Sequence, residues 1–260
     1  MSRKLFAFDI DGTLLDSNKQ ALPSTIAALD TLRAAGHFVT IATGRSRYLA
    51  EDIIRGMAFD NYILCNGSAA FLNHQQVYKH LLPQNQLQAF LNEAHSLAID
   101  TSFISLDDSK RSTTFNPERM EEAMNSFGST TPDLDPGFLE TDEVYQALAF
   151  YDAEYEHFFD EKYPELSFVR WHEKCVDVVP KGGSKAATIL KVAERLGMDK
   201  EDVIAFGDGL NDREMLQAAG TGVAMGNASA EVRGYADMIT ADNDSDGIWK
   251  ALVDLGFIAK

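Results

Sequence analysis

The chain has 260 residues, a net charge of -17 at pH 7, 45% hydrophobic residues and 24% charged residues. These proportions are typical of a globular protein that holds one large or two modest domains. Because nucleic acids and anionic membrane surfaces require a basic face, the negative charge argues against both as partners.

Cysteine content and the lack of long apolar segments indicate the compartment. Cys65 and Cys175 are the cysteines of the chain and form no paired motif, so a disulfide framework is not expected. No apolar run is long enough to span a bilayer, and the first residues show no signal-peptide pattern. We therefore expect a cytoplasmic protein that is a monomer or a weak homo-oligomer.

The first motif is an apolar run that ends in two carboxylates. Residues 5–8 show no polar alternation, which is typical of a strand buried on both faces of a parallel sheet. Asp9 and Asp11 follow, at the edge where open α/β sheets bind ligands. Two carboxylates this close repel each other unless a cation or a proton holds them, so the pattern indicates a metal, a shared proton or both. The alternative interpretation is a strand followed by an Asp-Gly turn.

The first third of the chain alternates strands and helices. After the first strand, we predict a helix from Pro23 to Gly36, a strand over 37–41, a helix from Arg47 to about Met57, and a strand over 62–65. This alternation predicts a doubly wound parallel sheet of the α/β class, with a Rossmann-like core. Thr43 and Asn66 would then end their strands on the same edge as Asp9.

The rhythm changes in the middle of the chain. The predicted elements are a helix from Pro83, a strand over 101–105, a helix from Pro117 to Phe127, a loop over 128–137, a strand over 144–150, a helix through Tyr155, Phe158 and Phe159, and a hairpin of strands 167–172 and 175–179. Paired strands and separate helices indicate an inserted α+β domain. We predict a core domain of residues 1–82 and 181–260 and an inserted cap of residues 83–180.

From Lys181 onward the α/β alternation resumes. We predict a helix from Lys185 to Gly197 capped by Ser184, strands over 203–206, 222–225 and 238–240, and a final helix over 248–255. Residues 242–246 carry acids in the pattern of an EF-hand, but Val253 stands where that loop requires a glutamate. We interpret this stretch as a solvated loop.

A second acidic cluster follows the strand over 203–206. It contains Asp208, which stands between Gly207 and Gly209, followed by Asn211 and Asp212. Asn211 and Glu214 fit an N-cap with its capping-box partner, which is the structural alternative. That alternative does not account for Asp208 and Asp212.

Together these residues suit phosphoryl transfer. Asp9 and Asp208 supply the hard oxygen ligands that Mg²⁺ prefers. Thr43 supplies a hydroxyl donor, and Lys185 supplies a positive charge near a helix N-terminus, where anions bind. A nucleophilic carboxylate, a second carboxyl such as Asp11, a divalent metal and a lysine are the groups that transfer through an aspartyl-phosphate requires.

The motifs resemble a known family. Residues 9–13 (DIDGT), residues 43–45 (TGR), Lys185 and residues 207–212 (GDGLND) are similar, in this order, to the four motifs of the haloacid dehalogenase-like hydrolase superfamily. The inserted segment resembles, in size and outline, the type IIB cap of the Cof-type phosphatases. The resemblance covers essentially the whole chain and implies that the cap selects the substrate.

The resemblance implies catalytic and metal-binding roles for four aspartates. Asp9 would be the nucleophile, and Asp11 would protonate the leaving oxygen and then deprotonate the attacking water. Mg²⁺ would be held by the carboxylates of Asp9 and Asp208 and by the backbone carbonyl of Asp11. Asp212 would support this metal site.

The resemblance also implies a set of phosphate-binding residues. These would be Thr43, Gly44, Lys185 and Asn211. Lys181 lies four residues before Lys185, but Lys185 begins the helix and fits the motif better. We interpret Lys181 as a surface residue of the hinge, and an exposed helical position is the alternative for Lys185.

The function that the resemblance implies is Mg²⁺-dependent hydrolysis of phosphate monoesters of small metabolites, sugar phosphates first among them. A phosphomutase or phosphotransferase of the same superfamily would use the same residues and is the first alternative. The second is a receiver-like signalling module without catalytic activity. A receiver carries its phosphoacceptor at the end of the third strand, where this chain has Cys65-Asn66-Gly67.

Overall fold

The structure is a computed structural model that describes residues 2–126 and 128–259. The chain divides into two units, each built on its own sheet. The first contains the residues up to Arg45, Ala50–Tyr78 and the residues from Ser184 onward; the second contains Ser46–Leu49 and Lys79–Gly183. The functional division into core and cap at residues 83 and 180 stays a prediction.

The described chain contains fourteen strands and nine α-helices. The strands are, in chain order, β1 (Leu5–Phe8), β2 (Phe38–Ala42), β3 (Tyr62–Leu64), β4 (Ala69–Leu72), β5 (Gln75–Lys79), β6 (Asp100–Ile104), β7 (Ser109–Arg111), β8 (Asp133–Leu134), β9 (Gln146–Phe150), β10 (Leu166–His172), β11 (Cys175–Pro180), β12 (Val203–Gly207), β13 (Thr221–Ala224) and β14 (Met238–Ile239). The helices are α1 (Pro23–Ala34), α2 (Arg47–Gly56), α3 (Gln84–Ser96), α4 (Pro117–Ser126), α5 (Phe138–Thr141), α6 (Lys185–Arg195), α7 (Arg213–Ala218), α8 (Ala230–Arg233) and α9 (Gly247–Asp254). Short 3₁₀ turns lie at Cys65–Gly67, Ala153–Tyr155, Lys200–Asp202 and Leu210–Asp212.

The sheet of the first unit confirms the predicted doubly wound parallel core. Its strand order is β14-β13-β12-β1-β2-β3-β4-β5. The pairs from β14 through β3 are parallel, and β4 runs antiparallel to β3. Because β1, β2 and β12 are parallel neighbours, the residues that follow each of them meet at one edge of the sheet.

Strand β1 is buried on both faces, as its apolar run predicts. Leu5 and Ala7 face one way and join an apolar cluster that includes Ile189 of α6. Phe6 and Phe8 face the other way, where the Phe8 ring stacks on that of Phe206 at 4.8 Å between centroids. This central, fully packed strand gives the acids that follow it a rigid base.

The second unit confirms the predicted α+β pattern. Its sheet has the order β10-β11-β9-β6-β7-β8, antiparallel except for the β7–β8 pair. Strands β10 and β11 form the predicted hairpin. Phe90 of α3 packs in one apolar cluster with Phe103, Ala147 and Val178 from the sheet, so this unit has a core of its own.

Two expectations for the elements need correction or comment. The predicted helix through Tyr155 and Phe159 is wrong: this stretch holds a short 3₁₀ turn, and His157 has a left-handed φ of 61°. The helical spacing of its rings reflects packing instead, since Phe159 lies edge-on to Phe90 at 5.2 Å between centroids. The helix predicted to end at Phe127 ends at Ser126 among the described residues, and Phe127 lies outside them.

The β4–β5 hairpin is absent from the sequence-based prediction. Its turn is made by Asn73 and His74, both with positive φ, and it lacks the glycine that normally marks such a turn. Elsewhere, the side chains of Cys65 and Cys175 are buried. Within residues 2–126 and 128–259, no helix has the length and apolar character needed to cross a bilayer.

Candidate active site

Asp9 lies at the end of β1 with its side chain buried. Its backbone N–H donates to the carbonyl of Phe206 in β12 (3.0 Å), which ties the exit of β1 to its parallel neighbour. Its carboxylate Oδ1 accepts a hydrogen bond from Lys185 Nζ at 2.6 Å. The first acid of the chain is therefore fixed at both backbone and side chain.

Lys185 is a buried cation shared by two carboxylates. Its Nζ donates to Asp9 Oδ1 and, at 2.7 Å, to Asp212 Oδ1, and its side chain is 1% exposed. Lys185 begins α6, and Ser184 Oγ caps this helix by accepting from the Ala187 N–H at 3.2 Å. The predicted helix start and cap are confirmed, and the exposed position considered for Lys185 is wrong.

Asp212 organises the loop after β12. Its Oδ2 accepts hydrogen bonds from the backbone N–H groups of Asp208 (3.0 Å) and Gly209 (2.9 Å). Helix α7 begins only at Arg213, so the N-cap considered for Asn211 is wrong. The acidic side chain and the glycines of the motif serve one tight 3₁₀ turn, in which a Cβ on Gly207 would lie 2.6 Å from Asp212 Cβ.

Asp208 packs against the loop that leaves β1. Thr13 Oγ1 donates to Asp208 Oδ1 at 2.7 Å, and Asn227 Nδ2 donates to Oδ2 at 3.2 Å and to the Gly12 carbonyl at 2.8 Å. Gly12 has a φ of +77°, and a Cβ there would stand 2.2 Å from Asp208 Oδ2. Glycine is required at this position for both the backbone conformation and the close approach.

The carboxylates of Asp9, Asp208 and Asp212 form one cluster, with an oxygen of each within 4.8 Å of the others. Burial raises the pKa of Asp208 to about 6, with repulsion from Asp212 adding to it against the Thr13 hydrogen bond. Burial also raises the pKa of Asp9, because burial and repulsion from Asp212 and Asp208 together outweigh the attraction of Lys185. The single positive charge of Lys185 does not neutralise three carboxylates. The carboxylate oxygens of this cluster therefore suit a hard divalent cation as the additional positive charge.

Three of the four expected phosphate-binding residues, Thr43, Gly44 and Asn211, lie in a second network, while the fourth, Lys185, lies among the carboxylates. Thr43 Oγ1 accepts from the Arg45 N–H at 3.1 Å. Asn211 Nδ2 donates to Asn66 Oδ1 at 3.2 Å, and the same Asn66 amide would be 3.1 Å from a Cβ on Gly44. The structure thus brings the ends of β2 and β3 together with the loop after β12.

The side chain of Asp11 lies outside the three-carboxylate cluster. Its two oxygens accept a fork from Arg45, with Nε to Oδ2 at 2.8 Å and Nη2 to Oδ1 at 2.7 Å, and Lys19 Nζ adds a contact to Oδ1 at 2.9 Å. Burial disfavours the charged form of Asp11, but the hydrogen bonds and charge of Arg45, with those of Lys19, hold its pKa below the usual value. Asp11 is therefore an ionised carboxylate in this arrangement.

Sequence reasoning assigned no role in the site to several residues that shape it: Thr13 and Arg45, which stand in the quoted motifs, Asn66, which was placed only at the sheet edge, and Lys19 and Asn227, which were not named. The signal for Asn66 is the Asn-Gly pair that follows β3 at the edge where Asp9 lies. The sequence analysis uses this pair only to mark the end of a strand. Asn227 has a similar signal, since it follows β13. Thr13 and Arg45 lie within the DIDGT and TGR motifs, so their positions carry a signal, whereas the charge of Lys19 has no pattern that distinguishes it from an ordinary surface residue.

Comparison with known proteins gives consistent matches over nearly the whole chain. A sequence profile described as haloacid dehalogenase-like hydrolase matches residues 6–252. The putative phosphatase YkrA of Bacillus subtilis strain 168 is 40% identical over 258 residues, which cover 99% of this chain and 100% of that protein. Pyridoxal phosphate phosphatase YbhA of Escherichia coli strain K12 is 32% identical, covering 95% of this chain and 97% of that one. Among solved structures, the HAD subclass IIB sugar phosphatase BT4131 superposes with a TM-score of 0.85 at 32% identity, covering 98% of this chain and 100% of that one.

Proposed function

The chain belongs to the haloacid dehalogenase-like hydrolases and is a phosphatase, and from this premise we propose that it hydrolyses phosphate monoesters of small metabolites with Mg²⁺ and an aspartyl-phosphate intermediate. The observation that carries this proposal is the buried cluster of Asp9, Asp208 and Asp212 around Lys185. A cluster of this kind gives the reaction a nucleophile, oxygen ligands and a fixed positive charge in one place.

Asp9 is the nucleophile of the proposed reaction. A carboxylate oxygen of Asp9 attacks phosphorus, and the bond to the leaving oxygen breaks. Asp11 is ionised in this structure, so it has to take up a proton from solvent before it gives one to that oxygen. Asp11 then takes a proton from the water that attacks the aspartyl-phosphate, so phosphate leaves and Asp9 is restored. Lys185 supports the attack because its bond to Asp9 Oδ1 fixes the orientation of the nucleophile.

The four aspartates would contribute to metal binding in different ways. Asp9 and Asp208 would hold Mg²⁺ through carboxylate oxygens, and Asp11 through its backbone carbonyl. Asp212 would support them indirectly, since its own oxygens already accept from Lys185 and from the backbone of Asp208 and Gly209. Mg²⁺, when bound, would neutralise charge on the oxygens of the transferred phosphoryl group.

The network at the ends of β2 and β3 suits the phosphate group itself. Thr43, Gly44 and Asn211 would bind the phosphate oxygens together with Lys185. Asn66 supports this role because its amide accepts from Asn211 and packs against Gly44. We assign substrate selection to residues 83–180 as the cap.

The relatives' names support the proposed substrate class. One relative is named a pyridoxal phosphate phosphatase, and one structural neighbour is named a sugar phosphatase. Both names describe phosphate monoesters of small molecules, which supports sugar phosphates and similar metabolites as substrates of this chain.

The test measures phosphate release from p-nitrophenyl phosphate, glucose 6-phosphate and pyridoxal 5′-phosphate, with Mg²⁺ or with EDTA. We expect Mg²⁺-dependent turnover in the wild type, none in Asp9→Asn, and unchanged turnover in the control Asp30→Asn, an exposed acid paired with Arg33. Turnover that survives in Asp9→Asn would exclude the proposed nucleophile. Transfer of the phosphoryl group to added glucose instead of water would indicate a phosphotransferase.

A further inference from the structure

The 3₁₀ turn after β3 has a left-handed backbone at three consecutive residues. The φ angles of Cys65, Asn66 and Gly67 are 50°, 52° and 96°. A left-handed φ is unfavourable for a residue that carries a Cβ, although asparagine tolerates it better than most. Such a conformation persists only where the surrounding structure enforces it, and it is often found at functional sites.

Hydrogen bonds on both sides enforce this turn. The Asn66 N–H donates to the Thr43 carbonyl at 3.0 Å, in the loop after β2. On the other side, Thr188 Oγ1 of α6 donates to the Gly67 carbonyl at 2.6 Å. The backbone of Asn66 is therefore fixed relative to the loop after β2 and to the first turns of α6.

The side chain of Asn66 holds the amide of Asn211 in one orientation. Asn66 is 9% exposed, and its Oδ1 accepts from Asn211 Nδ2 at 3.2 Å. The amide oxygen of Asn211 lies against the backbone of Gly209, where a Cβ would stand 2.7 Å from Oδ1. A side-chain amide has two N–H groups, so one N–H of Asn211 bonds to Asn66 and the second is a donor for a phosphate oxygen.

We propose that Asn66 is a positioning residue that orients the Asn211 amide so that an N–H, and not the amide oxygen, faces the substrate phosphate. This inference rests on the proposed function, in which Asn211 binds the phosphate. A reversed amide would direct an acceptor at an anion that offers only acceptors. Because Asn66 acts through Asn211, its loss weakens phosphate binding and leaves attack by Asp9 intact.

The variant Asn66→Gly tests this role, because it removes the amide and keeps a backbone that accepts a left-handed φ. We expect the Ki for inorganic phosphate and the KM for p-nitrophenyl phosphate to rise about ten-fold, since a hydrogen bond to a charged group is lost. The kcat should change less than about three-fold, because the lost contact serves bound substrate and transition state alike. A merely structural role would lower kcat through the folded fraction and leave the Ki unchanged.

The matched control is Asn73→Gly. Asn73 is an exposed residue of the β4–β5 turn with a similar φ of 48°, so this variant makes the same backbone change away from the site. Its Ki and KM should equal those of the wild type. Thermal melting of both variants shows whether folding accounts for a loss of activity.

A double-mutant cycle tests whether Asn66 acts through Asn211. Asn211→Ala should raise the Ki for inorganic phosphate at least as much as Asn66→Gly does, and the double variant should show no further rise. A further ten-fold rise in the double variant would overturn the positioning role, because Asn66 would then act on the phosphate without Asn211.

Phosphate binding also separates this inference from the proposed function. Calorimetry with inorganic phosphate and Mg²⁺ gives a Kd that does not depend on turnover. An unchanged Kd in Asn66→Gly would overturn the positioning role even in a fully active enzyme. Turnover that survives in Asp9→Asn would overturn the proposed nucleophile and leave the comparison of the Kd values valid.

Discussion

At the residue scale, Lys185 is the cation that offsets the buried carboxylates of the site. It is 1% exposed and contacts both Asp9 and Asp212. Burial opposes its charge, but the two carboxylates outweigh burial and raise the pKa of Lys185. Lys185 is therefore charged across the physiological range and cannot be removed without leaving buried acids unpaired.

Replacement of this lysine should destabilise the protein as well as inactivate it. We expect Lys185→Met to lower the free energy of unfolding by about 3 kcal/mol, because one partner of a buried ion pair is lost. Urea denaturation at pH 7.5 without metal measures this change. The control is Lys191→Met on the exposed face of the same helix, which should change the free energy by less than about 0.5 kcal/mol; equal losses in the two variants would contradict the assigned role of Lys185.

Gly12 offers a second test at single-residue resolution. A Cβ at Gly12 would overlap Asp208 Oδ2 at 2.2 Å, so Gly12→Ala should displace a proposed metal ligand and weaken Mg²⁺ binding about ten-fold or more. Gly36→Ala is the matched control, since Gly36 has a similar φ of +82° but no atom within 4 Å of the added Cβ. Both variants should lose about 1 kcal/mol of stability to backbone strain. Titration of activity with Mg²⁺ should separate them; the same metal dependence in both would contradict the Asp208 assignment.

At the element scale, the sequence predicted the strands that carry the site because their patterns are simple. Strands β1 and β12 are apolar runs followed at once by acids, and a strand buried on both faces needs no alternation. The β4–β5 hairpin and the turns around Phe159 were not predictable in the same way. Asn73 and His74 adopt a left-handed turn without glycine, and the ring spacing near Phe159 imitates a helix.

The N-terminus of α6 gives a prediction at this scale. Ser184→Ala removes the cap that accepts the Ala187 N–H, which should cost about 1 kcal/mol of stability. It should also lower kcat, because the first turn of α6 positions Lys185 and packs on Gly67, where a Cβ would lie 2.3 Å from the Ser184 carbonyl. Thermal melts and initial rates measure both effects.

The control for this variant is another helix cap. Ser229 caps α8 in the same way, through the Val232 N–H at 3.3 Å. Ser229→Ala should lose a similar amount of stability and keep its kcat. If Ser184→Ala also keeps its kcat, the first turn of α6 is not needed to place Lys185.

At the scale of the whole molecule, the alternation of strands and helices was enough to predict how the scattered motifs come together. Asp9 and Asp208 are far apart in the sequence, but their parallel neighbouring strands place them at one edge of the sheet, where Lys185 at the start of α6 contacts Asp9. The contact between Arg45 and Asp11 was not predictable, since it depends on side-chain rotamers across 34 positions of the chain. The sheet topology can be predicted from the sequence pattern of strands and helices, whereas the side-chain contacts within the site depend on how the folded chain packs.

The balance of charge over the molecule predicts how stability responds to pH and Mg²⁺. Burial raises the pKa of Asp208 from 3.8 to about 6, so between these values the folded state binds more protons than the unfolded state and stability falls as pH rises. The shift corresponds to about 3 kcal/mol, and the raised pKa of Asp9 extends the loss to higher pH. A net charge of -17 adds general repulsion in the same direction.

Mg²⁺ should reverse this loss, because a cation held by Asp9 and Asp208 binds their ionised form and no longer competes with protons at high pH. We expect 5 mM Mg²⁺ to raise the Tm more at pH 8 than at pH 5.5, as measured by calorimetry of the metal-free protein in both buffers. Asp208→Asn should reduce the gain at pH 8, while Asp244→Asn, which removes an exposed acid paired with Ser17, should not. A gain that is equal at both pH values, or that persists in Asp208→Asn, would place the ion elsewhere on this acidic protein.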